Sequence, residues 1–234
     1  MRFTLLAAGC LVLAGCGSGG TQSAGSTPAP SAIPPARHAA ATPVSLRAQT
    51  LGHLPTPVAL PAVATRGSSL LAIGGLDTAT ASLSEIVKVD GGRARVIGHL
   101  PSPLHDAAAA TARGRTLFAG GGQAGAGSSQ VLRILPSGAT QPAGRLPAGA
   151  SDVGAAAVGD TVYVVGGYTG TNWLDTIVAF TPNSGPRVVA HLPIGVRYAA
   201  VGAAHGRLVI AGGMTTTTHA STAVFVFDPK TAAV

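Results

Sequence analysis

LPIGVRYAAVGAAHGRLVIAGGMTTTTHASTAVFVFDP, residues 192–229, decides how this chain is read. A Leu-Pro pair opens it. A small-residue run, an aliphatic run ending in Gly212-Gly213, a Thr-rich gap and a β-branched and aromatic run ending in Asp228-Pro229 follow. Upstream, the Leu-Pro pair recurs at Leu54-Pro55, Leu100-Pro101 and Leu146-Pro147. The glycine pair recurs at Gly74-Gly75, Gly120-Gly121 and Gly166-Gly167, with Gly121-Gly122 an equal choice in the second copy. Both markers keep a spacing of 46 residues. Two independent markers on one period across four copies signify stacked supersecondary units.

The third copy shows what one unit is. Ala155 to Val158 is a short small-residue run, and Gly159-Asp160 is a tight hairpin signal. Thr161 to Val165 is β-branched and aromatic and stops at Gly166-Gly167. Tyr168 to Trp173 is a polar loop. Asp175 to Thr181 alternates and stops at Pro182, and Arg187 to His191 runs up to Leu192-Pro193. That makes four short strands, a to d, with turn signals between them. The runs Ala107 to Ala112, Ala155 to Val158 and Ala199 to Ala204 suit a strand a that crowds a central axis. Alanine alone would allow a helix, but each run is short and leads directly into Gly and a β-branched strand.

A hydrophobic strand ending in Gly-Gly, a strand ending near Asp-Pro or Thr-Pro, and then Leu-Pro resembles the Kelch repeat of β-propellers. The resemblance spans about Leu46 to Pro229. It implies an all-β fold, a Kelch-like β-propeller of four-stranded antiparallel blades. Kelch repeats usually carry a Trp on the fourth strand, and none of these copies does; the single Trp, Trp173, lies in a b–c loop. About four blades' worth is present. Leu46 to Gly52 reads as a lone strand d that could close a four-blade ring. Because the resemblance implies six or seven blades, and Lys230 to Val234 reads as the start of another strand d, the expectation is an incomplete propeller.

The bulk numbers agree with a β domain. Hydrophobic residues make up 46% of the chain and charged residues 10%, with 33 Gly and 17 Pro, so helix-favouring charged residues are scarce. The net charge of +7 comes from Arg residues scattered through the repeats. An electrostatic footprint for nucleic acid needs clustering, so no nucleic-acid partner is expected. Both cysteines, Cys10 and Cys16, precede the repeats, which leaves the repeats no disulfide and no thiolate metal site.

The amino terminus reads as an address. Arg2 gives a positive start, and Phe3 to Ala14 is an apolar run of secretory length. Leu13-Ala14-Gly15-Cys16 resembles the lipobox of bacterial lipoproteins. That resemblance implies a signal peptide over 1–15, lipid on Cys16, and anchoring in the bacterial cell envelope on the extracytoplasmic side. A Gly/Ser/Pro/Ala-rich stretch over 16–45 reads as a disordered tether, and 46–234 as the propeller, with repeats starting near 54, 100, 146 and 192.

A four-strand meander puts its d–a and b–c connections on one face, and variable loops on a rigid scaffold are where binding usually lives. The d–a connections carry His105-Asp106, Ser151-Asp152 and Arg197-Tyr198 at equivalent positions, with Ala59-Leu60 in the first copy. The b–c loops are read as Leu76 to Ser82, Gly122 to Ser129, Tyr168 to Trp173 and Met214 to Ser221. The binding candidates are His105, Asp106, Ser151, Asp152, Tyr168, Trp173, Arg197 and Tyr198, with Trp173 a candidate for stacking on a ligand. Asp at a turn also commonly bonds its own backbone. His53, His99 and His191 share one repeat position, which reads as architectural. Gly120, Gly122 and Gly125 match a dinucleotide fingerprint but lack the following helix it needs.

The expected role is a module that binds a protein, peptide or glycan, without a cofactor, metal or catalytic residue. The alternative is a carbohydrate-active propeller enzyme similar to sialic-acid mutarotases, using Asp106, Asp152, Arg197 or His105. A truncated, non-functional product is the remaining alternative. With one Glu and seven Asp in the chain, carboxylates for acid–base work are few.

Overall fold

Four antiparallel sheets follow one another along the chain, each built from one 46-residue unit. The computed structural model describes residue 45, residues 47–182 and residues 184–234. The expected signal peptide, Cys16 and nearly all of the expected tether lie outside the described residues. Blade 1 holds β1 (Ala62–Arg66), β2 (Ser69–Ile73), β3 (Glu85–Asp90) and β4 (Arg93–His99). Blade 2 holds β5 (His105–Ala112), β6 (Arg115–Gln123), β7 (Ala126–Ile134) and β8 (Thr140–Ala150). Blade 3 holds β9 (Gly154–Val158), β10 (Thr161–Val165), β11 (Thr176–Phe180) and β12 (Arg187–His191). Blade 4 holds β13 (Ala200–Ala204), β14 (Arg207–Ala211) and β15 (Val224–Phe227). Within each sheet the strands pair in chain order.

The alanine runs are strands, not helices, and they are the innermost ones. β1 packs against β5, β5 against β9, and β9 against β13, so the first strands of successive blades line one axis. Small side chains allow that approach, as the sequence pattern requires. β13 makes no comparable contact with β1, so the blades form an open arc. The arrangement is an all-β, Kelch-like propeller fold that does not close on itself.

Each of the first three glycine pairs marks the place where the link to the next blade crosses the end of the second strand. Gly166 and Gly167 have φ of 63° and 111°, and the other three pairs take the same left-handed values. Gly167 N–H donates to the Val196 carbonyl at 2.8 Å, as Gly75 N–H does to Leu104 at 2.9 Å. A Cβ on Gly166 would run into that Val196 carbonyl. The doublet therefore answers both a backbone conformation and a close approach. In the second copy this role falls to Gly120-Gly121.

Three apolar clusters hold the blades together, one at each boundary. Between blades 1 and 2, Ile73 and Ile86 meet Phe118, Leu132 and Ile134. Between blades 2 and 3, Val131 and Leu146 meet Val164 and Phe180. Between blades 3 and 4, Tyr163 and Ile177 meet Leu208 and Phe227, with the Tyr163 and Phe227 rings edge-on at 5.6 Å. Aliphatic and Phe packing fills the sheets without a fourth-strand Trp.

The structure corrects three sequence expectations. The segment expected as a lone strand d, Leu46 to Gly52, forms no strand over residues 47–52. Lys230 to Val234 does not begin a new strand. The chain turns there, and Asp228 bridges Ala233, because the Asp228 carboxylate accepts the Lys230 N–H at 2.9 Å and bends the backbone. Gly122 to Ser129 is not a long loop. β6 and β7 run on to a tight turn at Ala124 and Gly125, whose φ values of 49° and 80° suit a two-residue hairpin.

Candidate functional site

The link between blades is fixed in the same way in every copy. Ala59, Ser151 and Arg197 each form an antiparallel bridge to the residue after a glycine pair: Leu76, Tyr168 and Met214. The next residue along, at 60, 106, 152 and 198, has a left-handed backbone with φ of 54°, 53°, 59° and 56°. These four residues are joined blade to blade. Asp106 N–H donates to the Leu60 carbonyl at 3.2 Å, Asp152 N–H to Asp106 at 2.7 Å, and Tyr198 N–H to Asp152 at 3.0 Å. Asp tolerates the left-handed region; Leu and Tyr are held there at a cost of about 1–2 kcal/mol each. This hydrogen-bonded row circles the axis on the loop face.

A cleft of about 210 Å³ opens on the row. Seven of the eight residues expected from sequence line it: His105, Asp106, Ser151, Asp152, Tyr168, Arg197 and Tyr198. They come from the links ahead of blades 2, 3 and 4 and from the b–c loop of blade 3. The eighth, Trp173, does not line the cleft. It lies behind Tyr168, with ring centroids 4.8 Å apart, and its half-buried indole supports that ring from the back. The walls also include Gly122, Gly125, Ala126 and Gly127, which the sequence placed in a b–c loop but not among the binding candidates. The signal that would have found them is the Ala124-Gly125 turn, which brings the β6–β7 hairpin over the site.

Arg197 is the centre of the site. Its guanidinium carbon sits 4.7 Å from the Tyr168 ring centroid and 4.6 Å from that of Tyr198. Its Nε meets Asp152 Oδ2 at 2.8 Å, with the Asp152 side chain only 4% exposed. That contact is Coulombic, not an aligned hydrogen bond, and neither atom has a hydrogen-bond partner. Nη2 donates to the Tyr198 hydroxyl at 3.1 Å. Tyr168 donates its own hydroxyl to the Gly170 carbonyl at 2.6 Å. His105 Nε2 lies 3.8 Å from Asp106 Oδ2, and His105 Nδ1 is held by the Ser82 hydroxyl at 2.8 Å.

Burial, and then the neighbouring Asp152 carboxylate, raise the Asp106 pKa above the ordinary aspartate value, against the pull of His105 and Arg197. An acid whose folded pKa is raised binds more protons folded than unfolded. Its charge therefore costs stability above the folded pKa, and that cost vanishes as pH falls below the unfolded value. Asp106→Asn is accordingly expected to melt higher than the parent at pH 7, with the gap closing toward pH 3. Thermal melts at the two pH values check this, and a gap that is constant with pH refutes it.

Two of the histidines that recur before Leu-Pro, His99 and His191, are tied within their own sheets. His99 Nδ1 lies 3.3 Å from the Ser84 hydroxyl, and His191 Nδ1 lies 3.0 Å from Asp175. Arg145, at the same repeat position, donates to Ser129 at 3.0 Å. Each pins the outer strand to the start of the third strand, which is an architectural duty. Among the described residues, no group of three or more His, Cys, Asp or Glu is placed to hold a metal.

The family model for the Kelch motif matches residues 149–185, which run from the end of β8 through β11. No curated protein matches the chain.

Proposed function

We propose that this chain, a Kelch-repeat propeller fold, is an interaction module that takes a peptide segment of a partner protein in the cleft around Arg197. Kelch repeat domains commonly bind proteins, and the fold presents its loops on one face. The observation that carries the reading is the convergence of seven polar and aromatic side chains from three links and one loop on that cleft. Asp152 Oδ2 and Arg197 Nε, both buried and without aligned hydrogen bonds, supply acceptor and donor capacity there. The guanidinium already covers one face of each Tyr ring, a face that a stacking sugar would use, and this favours a peptide over a glycan. A carbohydrate-active enzyme would have to use Asp106 alone, because Asp152 is engaged by Arg197.

The setting we propose is the extracytoplasmic side of a bacterial membrane, with the propeller held by lipid on Cys16. The lipobox-like Leu13-Ala14-Gly15-Cys16 and the Gly/Ser/Pro-rich stretch after it support this. Fatty-acid labelling of the expressed chain, lost in Cys16→Ser, tests the anchor.

Peptide and glycan arrays probed with the full chain test the binding role. Tyr198 is 44% exposed at the rim, so Tyr198→Ala spares the core. The expected result is peptide binding weakened by roughly tenfold or more in Tyr198→Ala, the scale of an aromatic anchor. Glycan binding without peptide binding, or peptide binding indifferent to Tyr198, sinks the reading.

A further inference from the structure

We propose that the boundary between blades 2 and 3 carries a second binding site, on the face opposite the Arg197 cleft, which holds a phosphate group between Arg115 and Arg133. Both blades are complete four-stranded sheets, so the walls of this site are all in place.

The site exists because a long side chain of the neighbouring boundary has no counterpart here. Between blades 1 and 2, Arg66 at the end of β1 crosses to blade 2. Its Nε donates to Thr116 Oγ1 at 3.0 Å, its Nη1 to the Leu135 carbonyl at 3.1 Å and its Nη2 to the Ile134 carbonyl at 2.6 Å. One repeat on, the residue at the end of β5 is Ala112, and the residues matching Thr116, Ile134 and Leu135 are Val162, Phe180 and Thr181. A methyl group cannot cross the boundary. A cleft of about 220 Å³ opens between these four residues, with Arg115, Arg133 and Gln141 on its blade 2 side.

Two cations face this cleft without an acid to answer them. Arg133 stands opposite Leu117 on β6 and opposite Gln141 on β8. Arg115 lies two residues before Leu117 on the same face of β6. The two arginines are therefore diagonal neighbours, with Cβ atoms about 7–8 Å apart, close enough to grip one group. Among the described residues neither forms an ion pair. Arg115 makes only a long contact, Nη2 to the Asp160 carbonyl at 3.5 Å, and the Asp160 carboxylate is taken by Arg113 at 3.3 Å. Matching cations elsewhere are answered. By register Lys88 matches Arg133, and it pairs with Asp90 at 3.0 Å. Arg207 matches Arg115, and it pairs with Asp228 at 3.0 Å.

The donor set selects the ligand. A carboxylate has two oxygens and one charge, which a single guanidinium fork satisfies. A phosphate monoester has three free oxygens and nearly two charges, enough for two forks, and Gln141 adds an amide donor. The volume admits a phosphate and a short stem, and lies below the ~300 Å³ at which clefts for drug-sized ligands begin. The shared chemistry is thus inorganic phosphate or a monoester, whether of a small soluble molecule or of a lipid headgroup.

The test is an NMR titration of the full chain at constant ionic strength with inorganic phosphate, glycerol 3-phosphate and acetate. The Arg115, Arg133 and Gln141 side-chain signals are expected to shift with both phosphates, with a Kd on the order of 1 mM, and not with acetate. Arg115→Gln and Arg133→Gln should each weaken binding by about tenfold or more, the scale of a lost charge-assisted contact. Arg113→Gln removes the same charge outside the cleft and should leave the Kd within about twofold. Vesicles of phosphatidic acid in phosphatidylcholine identify the source. Binding lost in Arg133→Gln but kept in Arg113→Gln supports the site with a lipid phosphate; phosphate binding without vesicle binding supports it with a soluble one. Acetate bound as tightly as phosphate, shifts spread evenly over the arginines, or equal losses in the three variants would overturn the proposal. The contrast of phosphate with acetate on the parent chain decides even where a variant fails to fold.

Discussion

Arg197→Ala is expected to abolish binding at the cleft and to lower the stability of the fold by about 3 kcal/mol. Both effects have one origin. Asp152 is 5% exposed, in a link that the backbone row holds between blades 2 and 4. Its carboxylate is compensated by Arg197 at 2.8 Å, and Asp106 adds a second negative charge nearby. Without the guanidinium, two carboxylates share a poorly solvated place and two cation–π contacts are lost, each worth about 0.5–2 kcal/mol. Arg197→Lys keeps the charge but not the planar group that stacks on both tyrosines, so it should recover stability only in part. Adding Asp152→Asn to Arg197→Ala should return much of the loss, since the orphaned charge goes with it. Denaturant titration of the four chains measures the coupling. A loss below about 0.5 kcal/mol in Arg197→Ala would mean the pair is solvated like a surface salt bridge.

The largest purely structural effect is expected at Phe118. It is 0% exposed, pairs across β5 and β7 with Ala109 and Leu132, and reaches into the cluster of blade 1 beside Ile73 and Ile86. Phe118→Ala leaves a cavity at the boundary of two blades and should cost about 3–5 kcal/mol. For a domain of this size that is a fall in melting temperature of roughly 10 °C. Ile194→Ala, at a residue 45% exposed in the link before blade 4, serves as control and should change stability by less than about 0.5 kcal/mol. Equal losses at the two positions would show that the blade boundary is not the seat of stability.

The site was legible to the extent that it obeys the repeat. His105-Asp106, Ser151-Asp152 and Arg197-Tyr198 could be found because they occupy one position in three copies, and a meander sends that position to the loop face. Trp173 is the one candidate that the structure places outside the cleft. An indole in a polar loop suggests stacking on a ligand, but the Tyr168–Trp173 bridge turns it behind Tyr168. The β6–β7 hairpin was misread because a Gly- and Ser-rich stretch suits a loose loop and a tight turn alike.

By itself the sequence determined what local stereochemistry and period impose. Glycine pairs stand where the backbone must be left-handed under a crossing carbonyl. Alanine runs stand where strands crowd an axis, and β-branched runs lie between them, every 46 residues. Only the tertiary structure decided which side chains meet across blades. Arg197 joins Tyr168, Tyr198 and Asp152 because the packing of blade on blade sets distances that no spacing along the chain contains. Residues 48–53 show the same limit. Their sequence is that of an outer strand, but a strand exists only when a neighbour offers its edge, and this arc offers none at that end.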